Sequence, residues 1–498
     1  MIPHRPIAKL STHEVSNTPP HLGSQDLWQS DRALQEVIEC NGATEAAAHL
    51  AEFGKLAGAD EIVDKASQAN RYPPELHAFD RYGMRINQTK FHPAYHDLMQ
   101  LAVENEVSNY AWNHPGQGAH VAHGALTYLF HQVEGGVLCP MAMAYSAIPP
   151  LRTTPAIAEA WIPRLLSKQY DSRDIPAEQK TGALVGMFMT EKQGGSDVRT
   201  NTTQAVPVSS TATGIGREYY LSGHKFFCSA PMCDAFLTLA YSAGGLSCFL
   251  IPRWTPDGER NGLNLQRIKD KLGNRSNAST EMELENAWGV MVGEEGRGIR
   301  TIIDMVQHNR VYCANASAGT MRQALVQALH HTQHRHAFGN ALIDQPLMQN
   351  VLADLALETE AALNLSLRIA RGACGFVFAA TRRRHRPLSC RPQFQNVPAL
   401  RILNSQDRLP DRTDDWIHQT SAALPATSTY HHRREYTEPI PERRRPHVSL
   451  EDVAANTAST ARLQSAADIW VPSFSLITHG REKTVGKDLV LQEKHSTN

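Results

Sequence analysis

Along the first 180 residues, apolar positions recur at three- and four-residue spacing. The stretch at 42–70 is rich in Ala, Leu, Glu and Lys, and the same period continues through 94–112 and 118–136, as amphipathic helices require. Asp31 stands where a helix starting at Arg32 needs an N-cap. Residues 139–151 are more apolar, end at Pro149-Pro150, and read as a buried helix. From about 181 the period changes to two. ALVGMF at 183–188 suits a buried strand, and 218–231, 234–242, 246–252, 263–273 and 279–293 follow as strands. Gly244-Gly245 marks a hairpin between two of them. At 293–307 the helical period returns. It predicts one long helix over 301–338 and a second over 344–372, amphipathic enough to pack as a pair. The class is α+β, mainly α: a β-domain at 181–293 between a helical domain at 1–180 and helices at 294–371.

After Arg371 no helical period is sustained. Prolines recur at 387, 392, 398, 410, 425, 439, 441 and 446, and 427–447 is dense in Arg, His and Pro. This composition cannot complete a helix pair. Residues 372–498 read as a divergent, disordered tail, and resemble the product of a shifted reading frame in a GC-rich gene. The check is whether a single-base correction restores a helical reading.

At 498 residues the chain is long enough for two to four domains. Its net charge of −1 gives no overall field to attract nucleic acid. There is no apolar run of membrane-spanning length, and the first 15 residues lack a signal-peptide core; a cytoplasmic protein is expected. Eight scattered cysteines form no CxxC pair and read as reduced thiols. The histidine run at 330–336 lies in a helical stretch without neighbouring Cys or acidic ligands. A solvated or partner-facing helix is expected there, and no metal site.

The chemistry concentrates at 189–203, MTEKQGGSDVRTNTT. Thr190 and Ser196 offer hydroxyls that donate and accept. The Gly194-Gly195 pair lets backbone N–H groups approach a ligand that a Cβ would block. An ordinary polar turn has the same composition. Three further segments are HKFFCSAP at 224–231, KDKLGNRSNAS at 269–279 and RHAFGNALIDQPLMQNVLADLA at 335–356. Together these resemble the flavin-contacting segments of the acyl-CoA dehydrogenase superfamily. The form of the first is most similar to the AidB branch, flavoproteins of the adaptive response to DNA alkylation.

That resemblance, over about 20–371, implies helices, a central β-barrel and helices again, with FAD as cofactor. Met187, Met189 and Thr190 would meet the flavin ring, and Ser196 the pyrophosphate or substrate end. Phe227 and Cys228 would wall the flavin, and Ser229 would place its hydroxyl near the ring's reactive nitrogen. Arg335 would reach the pyrophosphate of a neighbouring subunit as a fixed fork of donors, with Phe338 packing on that cofactor; a homotetramer is implied. Arg275 is as readily structural as functional. The substrate implied is an acyl-CoA, whose α-proton a carboxylate removes. The resemblance places that base beyond Arg371, where no residue matches, so no catalytic residue is assigned; Glu191 belongs to the flavin loop. The branch's DNA association raises the arginine clusters at 382–386, 433–434 and 443–445, which could bind double-stranded DNA non-specifically. They do not match the branch's helices.

Overall fold

The computed structural model describes residues 7–381, with side chains to 373. The disordered tail, the frameshift reading and the arginine clusters expected beyond 381 lie outside the described residues.

The N-terminal domain is built from α1 (Arg32–Cys40), α2 (Ala47–Ala57), α3 (Asp60–Arg71), α4 (Pro93–Glu104), α5 (Tyr110–Asn113), α6 (Ala119–His131), α7 (Leu138–Leu151) and α8 (Pro155–Leu165). The Asp31 side chain accepts the Leu34 N–H, capping α1 as its position predicts. α6 and α7 are buried nearly all round and form the centre of the core. One element goes beyond the helical reading: a hairpin of β1 (Glu75–Phe79) and β2 (Arg85–Lys90) interrupts the helices. Its strands are mostly half-exposed, so no alternation of buried and polar positions betrays it in the sequence.

Seven strands form the central sheet: β3 (Val185–Phe188), β4 (Gln204–Pro207), β5 (Glu218–Ser229), β6 (Ala235–Ser242), β7 (Gly245–Pro252), β8 (Leu263–Ile268) and β9 (Ser279–Val292). Pairings β6–β4–β5–β9–β7 and back to β6 close a ring, with β3 beside β6 and β8 beside β9. Gly245, at φ +113°, follows the tight turn between β6 and β7.

Helix α9 (Gly298–His334) returns over α6 and α7, and α10 (Pro346–Thr381) packs against α9 and α6. α10 runs ten residues past Arg371. Between the two helices, His336–Ala337 and Asn340–Ala341 pair as a minimal hairpin. Its turn residues Phe338 and Gly339 have φ of +55° and +85°, the signs of a type I′ turn. No described helix is long and apolar enough to cross a membrane.

Candidate cofactor site

β3 delivers the central loop. Met187 and Met189, two residues apart and therefore on one side of the chain, are half-buried against the core. The chain then leaves the strand, and the Thr190 carbonyl accepts the Phe226 N–H of β5 at 2.8 Å. This bond places the first expected segment against the second.

The next residue locks the pair. Glu191 is fully buried, and so is Lys225 of β5, whose Nζ lies 2.9 Å from Glu191 Oε1. The same carboxylate accepts the Thr203 hydroxyl at 2.6 Å, the Thr202 hydroxyl at 2.9 Å and the Thr202 N–H at 2.7 Å. Lys225 also donates to the Leu239 carbonyl at 2.8 Å. Burial pushes the Glu191 carboxyl up, but the Thr203 hydroxyl and the Lys225 ammonium outweigh it and hold the group well below the usual carboxylate range. A buried charge without such partners would be expensive. Glu191 and Lys225 thus staple both ends of the 190–203 loop to the barrel. Periodicity and motif did not reveal this; the faint signal was a Lys directly before the apolar run Phe226–Cys228.

Within the loop, Gly195 lies so close to Thr190 that a Cβ there would come within 2.6 Å of Thr190 Oγ1. Glycine is therefore required by the Thr190 side chain itself. Ser196 is exposed.

β5 carries a bulge between Lys225 and Cys228. The extra residue lets Lys225 and Cys228 both face inward while Phe227 turns out, 49% exposed. Cys228 is fully buried, and burial pushes its thiol well above the ordinary range. Its side chain belongs to the barrel interior, so what it presents outward is backbone. Phe226 and Phe227 meet edge to face at 5.5 Å, and Lys269 Nζ sits 3.3 Å from the first ring centroid and 4.5 Å from the second.

Ser229 ends β5 with its hydroxyl 3.1 Å from that of Ser279. Lys271 donates to the Ser279 hydroxyl at 3.1 Å and to the Asn277 carbonyl at 2.7 Å; burial lowers its ammonium pKa. The Cys139 thiol at the head of α7, raised by burial, faces the Ser229 hydroxyl. The 269–279 loop is held from below by buried Glu134, which accepts the Ser276 hydroxyl at 2.7 Å and the Asn70 amide at 2.9 Å. Arg275 is exposed; the residue working in this loop is Lys271.

Arg335 and Phe338 are not brought to this face. The start of α9 backs onto Ser247 of β7, where a Cβ on Gly298 would meet backbone at 2.6 Å. Ser247 pairs with Ala240 of β6, level with the end of β3, so α9 begins about 10 Å, two strand spacings, from Thr190. Arg335 caps the far end of its 37 residues, about 55 Å away at the helical rise. There its guanidinium donates to the Asn17 carbonyl at 2.6 Å, and Phe338 is 97% exposed. The neighbouring histidines are also surface groups: His330 meets the Pro20 carbonyl at 2.7 Å. Among the described residues no group of His, Cys, Asp and Glu could hold a metal ion.

The face at 187–196 and 227–229 therefore offers half-buried Met and Thr, an outward Phe and a Ser hydroxyl on two stapled segments. A helical layer, a closed barrel and a long antiparallel helix pair around such a face define the acyl-CoA dehydrogenase class of fold. Family models agree: the AidB N-terminal domain matches 17–172, and the acyl-CoA dehydrogenase middle and C-terminal domains match 186–287 and 296–374. AidB of Escherichia coli (strain K12) is 47% identical over 362 residues, 72% of this chain and 66% of that protein. The chain belongs to the acyl-CoA dehydrogenase family, in its AidB-like branch. Among solved structures, Bd2924 in its apo form superposes with a TM-score of 0.66 at 28% identity, covering 73% of this chain and 72% of that one. ACDH-11 of Caenorhabditis elegans in complex with C11-CoA gives 0.66 at 27% identity, covering 76% and 64%. The chain thus spans 66% of the E. coli protein and 64% of ACDH-11.

Proposed function

We propose that the chain is an FAD-dependent, acyl-CoA dehydrogenase-like flavoprotein of the AidB type. The observation that carries this reading is the pairing of the Thr190 and Ser229 segments by the Phe226–Thr190 hydrogen bond and the Glu191–Lys225 ion pair. The residues fit a flavin. Gly195 leaves Thr190 Oγ1 uncovered by any Cβ, and Phe227 presents a half-exposed ring beside it. Met187, Met189 and Thr190 would line the ring, with Phe227, the backbone of Cys228 and the Ser229 hydroxyl closing its other edge and Ser196 at the pyrophosphate end. Bound there, FAD supplies a hydride acceptor.

Arg335 and Phe338 complete the site only from a second copy, because within one chain they lie tens of ångströms from Thr190. A bulky residue at positive φ costs about 1–3 kcal/mol, and Phe338 combines that strain with near-complete exposure. Burial against another subunit's cofactor accounts for both, and supports the tetramer. The name of the AidB N-terminal family, an adaptive response protein, supports a role in the response to DNA alkylation, and ACDH-11 with its C11-CoA supports an acyl-CoA substrate. Buried carboxylates near the face are already engaged: Glu191 by Lys225, Glu134 by Ser276, Glu281 by Lys269 and Arg267. None of these three is free to act as the base, and slow or absent turnover is expected.

The test is the purified full chain. It should carry FAD, and Thr190→Ala with Ser229→Ala should weaken its retention. Equal retention in the double variant would show that the site is elsewhere. Anaerobic bleaching by an acyl-CoA would establish dehydrogenation; salt-sensitive binding to duplex DNA without bleaching would favour a protective role instead.

A further inference from the structure

Away from the flavin face, a cavity of about 360 Å³ opens on the seam between the N-terminal helices and the barrel. The end of β2 and the head of α4 supply Lys90, Phe91 and His96, the connector before β3 supplies Tyr170, and the barrel rim supplies Met232 and Arg253. Asn87 fixes the hairpin over it, accepting the Leu265 N–H of β8 at 3.1 Å. Domain seams and volumes of a few hundred Å³ are typical of small-molecule sites.

One wall is aromatic and already assembled. Phe91 stacks on Tyr95 at 4.2 Å, and His96 lies parallel to Tyr170 at 6.0 Å with Nδ1 2.8 Å from its hydroxyl. Rings that hold one another need little reorganisation to receive a ligand. The carboxylates of the lining are all engaged. Asp234 pairs with Lys180 at 2.7 Å, Asp174 with Arg253 at 2.8 Å and Arg260 at 2.6 Å, and Asp171 with Arg173 at 2.6 Å. Lys90 is exposed; Glu75 is its cross-strand neighbour in the hairpin, and Lys90 forms no ion pair among the described residues. His96 has no partner at Nε2 among them either, and burial keeps its imidazole neutral near pH 7. In the tautomer in which the Tyr170 hydroxyl donates to Nδ1, Nε2 carries the proton and is the donor left for a ligand.

We infer that this cavity binds a planar aromatic monocarboxylate, its ring against Phe91 and Tyr170 and its carboxylate at Lys90 Nζ and His96 Nε2. One cation outside any ion pair suits one negative charge; a phosphate would call for more donors.

Calorimetric titration of the full chain with benzoate, benzamide, cyclohexanecarboxylate and acetate tests it. Benzoate should bind with a Kd on the order of 0.1–1 mM, and at least about tenfold more tightly than the other three. Lys90→Met, a surface change whose fold is checked by its unfolding midpoint, should bring benzoate down to the benzamide level and leave benzamide unchanged. Phe91→Leu should weaken both aromatic ligands. Benzoate binding no tighter than acetate, or unaltered by Lys90→Met, overturns the inference.

Discussion

The two halves of the expected flavin site are held in opposite ways. The half on the barrel, Thr190 to Ser196 with Phe227 to Ser229, is fixed by a fully buried ion pair and four threonine hydrogen bonds to one carboxylate. The half at the α9–α10 corner, Arg335 with Phe338, rests on a two-residue turn and hydrogen bonds to the Asn17 segment, open to solvent. The first is preorganised by its own chain. The second, on the proposed reading, gains a function only when a second copy covers it. On that reading a motif is complete in sequence while its two parts act in different copies.

The largest expected break is Lys225→Met. It leaves Glu191 charged, buried and without its cation, so the chain should lose about 3–5 kcal/mol of stability together with its flavin. Glu191→Gln with Lys225→Met should recover much of the stability without restoring flavin retention. An unchanged urea midpoint in the single variant would remove the staple from the account.

Acid is the next lever, and it acts on the helical layer beneath α9. Burial lowers the pKa of His120 to about 4, aided by nearby His308, and holds that of His123 well below the ordinary imidazole value. Folded-state values below the ordinary imidazole value mean that the unfolded chain takes up protons first. Stability is thus complete above about pH 6.5 and falls as pH drops towards 4, by about 1.4 kcal/mol per pH unit for each histidine. Urea unfolding at pH 6.5 and 5.5 measures this; a flat profile would contradict their burial as neutral rings. Glu191, held far below the usual carboxylate range, keeps its charge across the same window, so the barrel face should outlast the histidine layer.

The smallest effect on stability, and the sharpest on assembly, belongs to Arg335→Ala with Phe338→Ala. Both side chains are exposed, so unfolding of the isolated chain should move by no more than about 0.5 kcal/mol, while flavin retention and the assembled fraction in sedimentation both fall. If flavin retention is untouched, the corner does not complete a partner's site.

Periodicity made the succession of helices, barrel strands and helices readable, and the Thr190, Ser229 and Arg335 segments stood out as motifs. The β1–β2 hairpin did not, because its half-exposed strands carry no alternation. The resemblance gives Cys228 as a wall for the flavin; the extra residue at 226–227 sends its thiol inward, and strand parity alone cannot locate such a bulge. Lys225 passed as an ordinary strand residue, since its partner Glu191 is 34 positions away and only folding brings them together.

By itself the sequence determined the class of fold, the order of its domains and which side-chain chemistries recur, because these follow from local period and composition. Tertiary structure decided that Thr190 and the Ser229 segment share a face, that Glu191 is a structural anchor, that Arg335 stands tens of ångströms off, and that a cavity lies on the domain seam. Each of those depends on distances between residues remote in the chain, and on burial that turns a charge from a solvated group into one that must be paired.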